Sequence, residues 1–316
     1  MEYSEELKGL AIIFVIFGHL CGMKFFDIDN ANPIAATGVA IFLFLSGFGL
    51  MKSYMKKGID SNFLYRRVKK VIIPYWIVTI IWIFVDEVFG GIRYNFKNIA
   101  MSLVGFKSPI DSTMWFISYI LMFYVCFFVC FKLKKSNSLK LFLLVIVSAS
   151  ISMLIYKINL GDISTEYYIH YLPFPIGCFI ALHSNKLAKY FTQRKLLITL
   201  SLLCLICSIL YVHYIPNVMI NINLYVLTDI VSMIFFILLT LILSYFNIKL
   251  NLLIRIGGLS FYIYLFEGVF LKKYAILNFN NKILSLICYL IAIITLSLIL
   301  DKITKMIFRK KSIATQ

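Results

Sequence analysis

The dominant pattern along this chain is a series of apolar runs, each close to 20 residues long and separated by short polar segments. A helix needs about 20 apolar residues to cross the hydrocarbon core of a bilayer. The pattern predicts an all-α, polytopic membrane protein of about ten transmembrane helices. The predicted spans are residues 9–25, 34–51, 71–89, 114–131, 139–156, 168–183, 196–213, 223–245, 256–271 and 284–301. Because the connecting segments are short, we expect residues 1–316 to form a single membrane domain with its site inside the bundle.

Composition and charge support a membrane location. The chain is 61% hydrophobic and 14% charged, whereas soluble domains carry about 25% charged residues. The net charge of +17 does not indicate nucleic acid, because the basic residues cluster between apolar runs as topology signals do. With a cytoplasmic N-terminus, 23 of the 31 Lys and Arg residues fall on the inner side and 8 on the outer side. This bias predicts that both termini are cytoplasmic.

Neither the cysteines nor the N-terminal segment suggests other chemistry. The seven cysteines lie mostly within apolar spans, and the CxxC of Cys204 and Cys207 has no second pair. Core packing therefore explains them better than zinc or redox work, and no metal is predicted. Residues 1–8 hold three glutamates and one lysine, so the first span is expected to be a retained helix and not a signal peptide.

Prolines distinguish two of the predicted spans. The sixth contains YLPFPIGCF, and Pro173 and Pro175 predict a kinked or broken helix whose freed carbonyls must be buried in protein or face a wet cavity. In the third span Pro74 suits a first helical turn.

His19 is the first ionisable residue placed within a predicted span. It follows Lys8 by eleven residues, and eleven residues of helix return to within about 20° of the same direction over roughly 16 Å. Gly18 and Gly22 allow a neighbouring backbone to approach closely. Taken singly, His19 is as well explained by a backbone hydrogen bond and Lys8 by an interfacial anchor. The shared face favours a functional pair.

Among the carboxylates within predicted spans, Asp229 in the eighth and Glu267 in the ninth are candidates for function. Ionisable groups in a membrane are costly and are candidates for function. With His19 they fall in the outer half of the bundle, and we hypothesise one polar cavity in which a carboxylate holds an imidazole nitrogen. Alternatively, Asp229 pairs locally and Glu267 reaches the lipid headgroups.

The 52–70 segment is the densest basic region of the chain, with seven Lys and Arg residues. A topology signal explains it fully. Arg67 and Lys70, however, are spaced to share a face where the chain enters the third span, and with Lys8 they would form a cationic mouth for a phosphorylated ligand.

Six stretches, taken in order, resemble acyltransferase family 3, whose members acylate surface polysaccharides, lipid-linked sugars and related carbohydrates. They are LKGLAIIFVIFGHL with Lys8 and His19, IFLFLSGFGL with Ser46 and Gly47, RRVKKVIIPYW with Arg67 and Lys70, MWFISYILMFY with Trp115, YLPFPIGCFIAL and GLSFYIYLFEG. The chain departs from the family twice: Lys8 stands where arginine is usual, and Glu267 where the last block often has histidine.

The resemblance implies an acyl-CoA donor and a carbohydrate hydroxyl as acceptor. His19 would act as general base or carry the acyl group covalently, and these alternatives stay open. Asp229 and Glu267 are the other catalytic candidates. Donor binding is predicted at Lys8, Arg66, Arg67 and Lys70, and substrate binding at Ser46 and Trp115.

Two other classes of function remain open. A transporter or flippase for a lipid-linked saccharide would also have ten spans, a broken helix and intramembrane charges, but it leaves the Lys8–His19 spacing unexplained. A structural partner in polysaccharide export is the other alternative. The abundance of Lys, Ile and Asn suggests a bacterial cell membrane. Acetyl is the commonest acyl group in the family, with succinyl as the alternative.

Overall fold

The computed structural model describes residues 3–26, 32–105, 108, 110–158, 162–190, 200, 203, 222–272, 279 and 281–313. These residues form helices, turns and connections and no strand, which confirms the all-α class. The helices are α1 (Ser4–Gly22), α2 (Asn32–Lys57), α3 (Phe63–Val88), α4 (Phe96–Val104), α5 (Trp115–Lys132), α6 (Asn137–Ile158), α7 (Asp162–Ile169), α8 (Pro173–Tyr190), α9 (Ile222–Tyr245), α10 (Asn251–Lys272) and α11 (Lys282–Ile313). A 3₁₀ turn at Ser112–Met114 precedes α5.

The chain divides into two compact units that alternate along the sequence. Unit 1 comprises residues 1–60 and 125–258, and unit 2 comprises residues 61–124 and 259–316. The helices α5 and α10 contribute residues to both units. The assignment of residues 1–316 to one domain stays a prediction.

Seven of the described helices are long and apolar enough to cross a membrane: α2, α3, α5, α6, α9, α10 and α11. The first predicted span corresponds to α1, whose opening turns carry three charged residues, Glu5, Glu6 and Lys8. The sixth corresponds to α8, whose second half is polar. The seventh, 196–213, lies almost wholly outside the described residues. A multi-pass protein is therefore supported, whereas the count of ten and the orientation of the termini stay predictions.

The third span begins earlier than the sequence predicts. Helix α3 starts at Phe63, so Pro74 lies in its interior and not in its first turn. The prediction was wrong because hydropathy marks where the bilayer begins, whereas arginine and lysine are good helix formers and extend the helix beyond it. Pro74 has no N–H to donate to the carbonyl of Lys70, which favours a kink at this point.

Close glycine contacts join α2 and α8 in unit 1. A methyl group at Gly47 would lie 2.9 Å from the carbonyl carbon of Phe174, and one at Gly177 would lie 2.9 Å from the carbonyl carbon of Phe44. The thiol of Cys178 also donates to the carbonyl oxygen of Gly47 at 3.3 Å. Small residues allow membrane helices to approach in this way, so the two backbones are held in direct contact.

The predicted break in the sixth span is confirmed. Helix α7 ends at Ile169 and α8 begins at Pro173, with Pro175 two residues further on. Proline fits the first turn of a helix, and it disfavours the helical conformation of the residue before it. The three residues between the helices, including His170, therefore form a non-helical joint.

Candidate active site

One unbroken helix carries both Lys8 and His19. Because α1 is continuous from Ser4 to Gly22, the two residues lie on the same face, roughly 16 Å apart along its axis. His19 is half-buried. At the adjacent position, a methyl group at Gly18 would lie 2.7 Å from the Cβ of Ala35. Helices α1 and α2 are therefore in close contact at the depth of His19.

The ammonium group of Lys8 is paired with an acid on its own helix. Its Nζ lies 2.7 Å from Oε1 of Glu5, and both side chains are partly exposed. A ligand phosphate would therefore compete with Glu5 for this cation, and the exposure of the pair keeps the competition weak.

The imidazole that Asp229 holds is that of His170, in the joint between α7 and α8. Nδ1 of His170 lies 2.8 Å from Oδ2 of Asp229, and the two side chains are 0% and 1% exposed. Oε2 of Glu166, one turn earlier on α7, lies 3.6 Å from Nε2 of His170. The sequence predicted that Asp229 or Glu267 holds the imidazole of His19 in one cavity, whereas the structure pairs Asp229 with His170; the single cavity stays a prediction.

Helix geometry places Asp229 at nearly the same depth as His19. Tyr3 donates to the carbonyl of Leu243 at 3.0 Å, and the rings of Phe14 and Phe236 are 6.0 Å apart, so α1 and α9 run antiparallel. From that ring contact His19 lies five residues along α1 and Asp229 seven residues back along α9. These steps correspond to roughly 7.5 Å and roughly 10.5 Å in the same direction.

Helix α2 gives the same result independently. Gly18 packs against Ala35, and two residues further along α2 the hydroxyl of Thr37 lies 3.2 Å from that of Ser232. Ser232 follows Asp229 by three residues, which is about one turn of α9. His19 and Asp229 therefore lie at nearly the same depth of unit 1.

Glu267 is fully buried in unit 2, beside a second acid. One turn before it on α10, Tyr264 donates to the carbonyl of Thr113 at 2.5 Å. Asp111 accepts hydrogen bonds from the backbone N–H and the hydroxyl of Thr113 at 2.8 and 2.7 Å. A methyl group at Gly268 would lie 2.5 Å from Oδ2 of Asp111, so α10 runs directly against that carboxylate. Glu267 thus points into protein, which argues against a role at the headgroups.

The two predicted substrate-binding residues, Ser46 and Trp115, are both half-buried on helices. Ser46 is half-buried on α2, next to the glycine that contacts α8. Trp115 is half-buried at the start of α5, and its ring centroid lies 5.8 Å from that of Tyr119. Their role in substrate binding stays a prediction.

The predicted donor-binding cations of unit 2 lie in the first turns of α3. Arg66 and Lys70 are exposed, whereas Arg67 is half-buried with its guanidinium 5.9 Å from the ring of Phe63. Arg67 and Lys70 are three residues apart on a helix and therefore share a face. Lys8 belongs to unit 1, so a mouth that combines all of these cations stays a prediction.

The six stretches named above divide evenly between the two units. The first, second and fifth lie on α1, α2 and α8 of unit 1, and the third, fourth and sixth lie on α3, α5 and α10, almost wholly in unit 2. In unit 1 they supply the close glycine contacts between helices, and in unit 2 the sixth supplies the buried Glu267. The molecule is thus a multi-pass helical membrane protein with acids and a histidine buried inside its units.

Comparison with known proteins identifies the family to which this membrane protein belongs. The acyltransferase domain of acyltransferase family 3 matches residues 2–302, nearly the whole chain, and the protein belongs to that family. It is accordingly a membrane acyltransferase. Comparisons with curated proteins and with solved structures find no match.

Proposed function

We propose that this membrane acyltransferase takes an acyl group, in the simplest case acetyl, from cytoplasmic acyl-CoA and transfers it to a hydroxyl of a cell-surface or lipid-linked carbohydrate. The proposal includes a location in a bacterial cell membrane. The observation that carries it is the single helix α1, with a cation near one end and a half-buried imidazole on the same face roughly 16 Å away.

This spacing suits the shape of coenzyme A. The donor carries its phosphates at one end and its thioester at the end of a long, slender arm. Lys8 would bind the phosphates, because charge-assisted hydrogen bonds to phosphate are among the stronger polar contacts. The thioester would then reach the depth of His19.

His19 supplies the chemistry in either of two ways. As a general base it takes the proton of the acceptor hydroxyl while the oxygen attacks the thioester carbonyl. As a nucleophile it forms an acyl-imidazole, which the hydroxyl then attacks. In both routes the C–S bond breaks and coenzyme A leaves as a thiolate that takes up a proton from water.

The test is consumption of radiolabelled acetyl-CoA by the purified protein, with release of the thiol measured in parallel. His19→Ala is expected to abolish consumption. His183→Ala is the matched control, since His183 lies on α8 with its ring 4.7 Å from that of Phe179 and has no assigned role. Equal consumption by wild type and His19→Ala would refute the proposal. An acyl group found on His19 by mass spectrometry, with donor alone, would select the nucleophilic route.

The natural acceptor is sought in whole cells. Proton NMR of surface glycans from cells with and without the protein should reveal acyl groups that depend on its presence and on His19. Saccharide export that survives His19→Ala, without any change in glycan acylation, would instead identify a transporter.

A further inference from the structure

The group formed by Glu166, His170 and Asp229 runs from the surface of unit 1 to its interior. Glu166 is 39% exposed, whereas the imidazole of His170 and the carboxylate of Asp229 are 0% and 1% exposed. An imidazole can accept a proton at one nitrogen and release one from the other. Chains of acidic and histidine side chains at membrane depth are the arrangement from which proton pathways are built.

Glu166, the exposed member of this group, lies at the end of unit 1 that is remote from the start of α6. Asn137, the first residue of α6, accepts a hydrogen bond from Tyr54 at 3.3 Å. Tyr156 lies 19 residues further along α6, roughly 28 Å away, and its ring is 4.8 Å from that of Tyr168 on α7. Tyrosines gather where lipid meets water, so α7 and Glu166 are placed at that boundary.

Asp229, the innermost member of the group, lies at the depth of His19. Two independent helix registers, one through Phe14 and Phe236 and one through Ala35 and Thr37, bring Asp229 to that level. Asp229 combines near-complete burial with a contact to an imidazole.

Acyl transfer creates a need for such a route. When the acceptor oxygen bonds to the acyl carbon, its proton passes to His19, and the C–S bond (or the acyl–imidazole bond) breaks. The departing thiolate takes its proton from water at the donor side. A proton therefore remains on His19 at the acceptor side after each turnover, and it must leave before the imidazole can act again.

We propose that Asp229, His170 and Glu166 form the route by which this proton leaves, passing from the depth of His19 to water at the end of unit 1 where α7 lies. The inference rests on the proposed function. The three side chains are proton-transfer groups and do not contact the reacting carbonyl. Glu166 on α7 and Asp229 on α9 both contact His170, and one turn from Asp229 the hydroxyl of Ser232 lies 3.2 Å from that of Thr37 on α2.

A purely structural role is the competing explanation. The buried pair also joins the α7–α8 joint to α9, and removal of one partner from a buried ion pair is strongly destabilising. Asp229→Asn and His170→Asn could therefore unfold the protein without reporting on proton transfer. Glu166 avoids this difficulty, because its partly exposed carboxylate is 3.6 Å from the imidazole, too far for a strong hydrogen bond.

The experiment compares Glu166→Gln with wild type in proteoliposomes supplied with acetyl-CoA and extracted surface glycan. Transfer by the variant is expected to fall about 100-fold, the lower end of the range for loss of a proton-transfer group. The KM for acetyl-CoA should not change, the solvent deuterium isotope effect should rise, and added formate should restore part of the rate. Glu87→Gln, at an exposed position on α3, should behave as wild type.

The outcomes separate the two proposals. Wild type that transfers no acyl group would refute the proposed function and the route with it. Wild type that transfers, together with a Glu166→Gln variant of equal rate and isotope effect, would overturn the route alone. A rate loss that formate does not restore, with an unchanged isotope effect and a lowered melting temperature, would also overturn it in favour of the structural role.

Discussion

Two glycines of α2 provide a matched test of the packing that positions the site. Gly47 and Gly49 are two residues apart in SGFG, yet a methyl group at Gly47 would meet the backbone of Phe174, whereas at Gly49 nothing lies within 4 Å. Alanine at Gly49 should gain the ordinary helix preference of alanine over glycine, about 1 kcal/mol. Alanine at Gly47 gains the same preference but must also separate α2 from α8.

The contact geometry gives the size of this cost. Non-bonded carbons pack best about 3.5–4.0 Å apart, and the new methyl would lie 2.9 Å from the carbonyl carbon of Phe174. The methyl is bonded directly to the backbone of α2 and the carbonyl carbon belongs to the backbone of α8, so whole helices must move. Overpacking of this kind costs about 1–3 kcal/mol. Since helix preference is common to both variants, Gly47→Ala should be less stable than Gly49→Ala by that amount.

The free energy of unfolding would be measured in detergent, with labelling of Cys178 followed by mass spectrometry. Cys178 is fully buried and bonds to the carbonyl of Gly47, so its thiol should react faster in Gly47→Ala than in wild type. It should remain protected in Gly49→Ala. Equal stability of the two variants, with Cys178 protected in both, would refute the close α2–α8 contact.

Three further predictions concern tyrosines of unit 2. Tyr264→Phe should destabilise the protein by about 1 kcal/mol in thermal unfolding, because it removes the donor to the carbonyl of Thr113. Tyr289→Phe should be neutral or stabilising, since the buried Tyr289 hydroxyl has no hydrogen-bond partner among the described residues; a larger loss there than at Tyr264 would contradict this. Burial and the 2.6 Å hydrogen bond to Asp86 raise the pKa of Tyr94 above its ordinary value. The stabilisation that the neutral Tyr94 hydroxyl provides is therefore fully present below about pH 10, and it is lost as the pH rises through the pKa of Tyr94 in the folded protein. Tyr94→Phe should accordingly flatten the alkaline decline of the melting temperature.

Sequence reasoning succeeded where local chemistry decides the structure. Pro173 and Pro175 break a helix wherever they occur, so the joint before α8 was predictable. The burial of Asp229 and Glu267 followed from the cost of placing charge in an apolar run. The continuity of α1 through Lys8 and His19 followed from an unbroken apolar pattern.

It failed where partners come from distant parts of the chain. His170 lay inside the predicted span 168–183, so the rule that selected His19 also applied to it and was not used. Its partner Asp229 is 59 residues away, and nothing local identifies such a pairing. Asp111 lies between predicted spans, where hydropathy gives no indication that a carboxylate is buried.

The basic turns of α3 show the same limitation at the membrane boundary. Hydropathy assigned residues 52–70 to a connecting segment, whereas α2 continues to Lys57 and α3 begins at Phe63. The pattern of apolar residues reports which part of a helix meets lipid, and it does not report how far the helix continues into water.

The length of α11 makes its last turns a suitable place to attach a marker protein. Its 32 residues extend roughly 48 Å, whereas the apolar layer is about 30 Å thick. Its last turns are braced against α3, because the ammonium of Lys69 lies 5.1 Å from the ring of Phe308. A rigid marker protein spliced in helical phase onto these turns would keep a fixed orientation, which would help particle alignment in electron cryo-microscopy of so small a target.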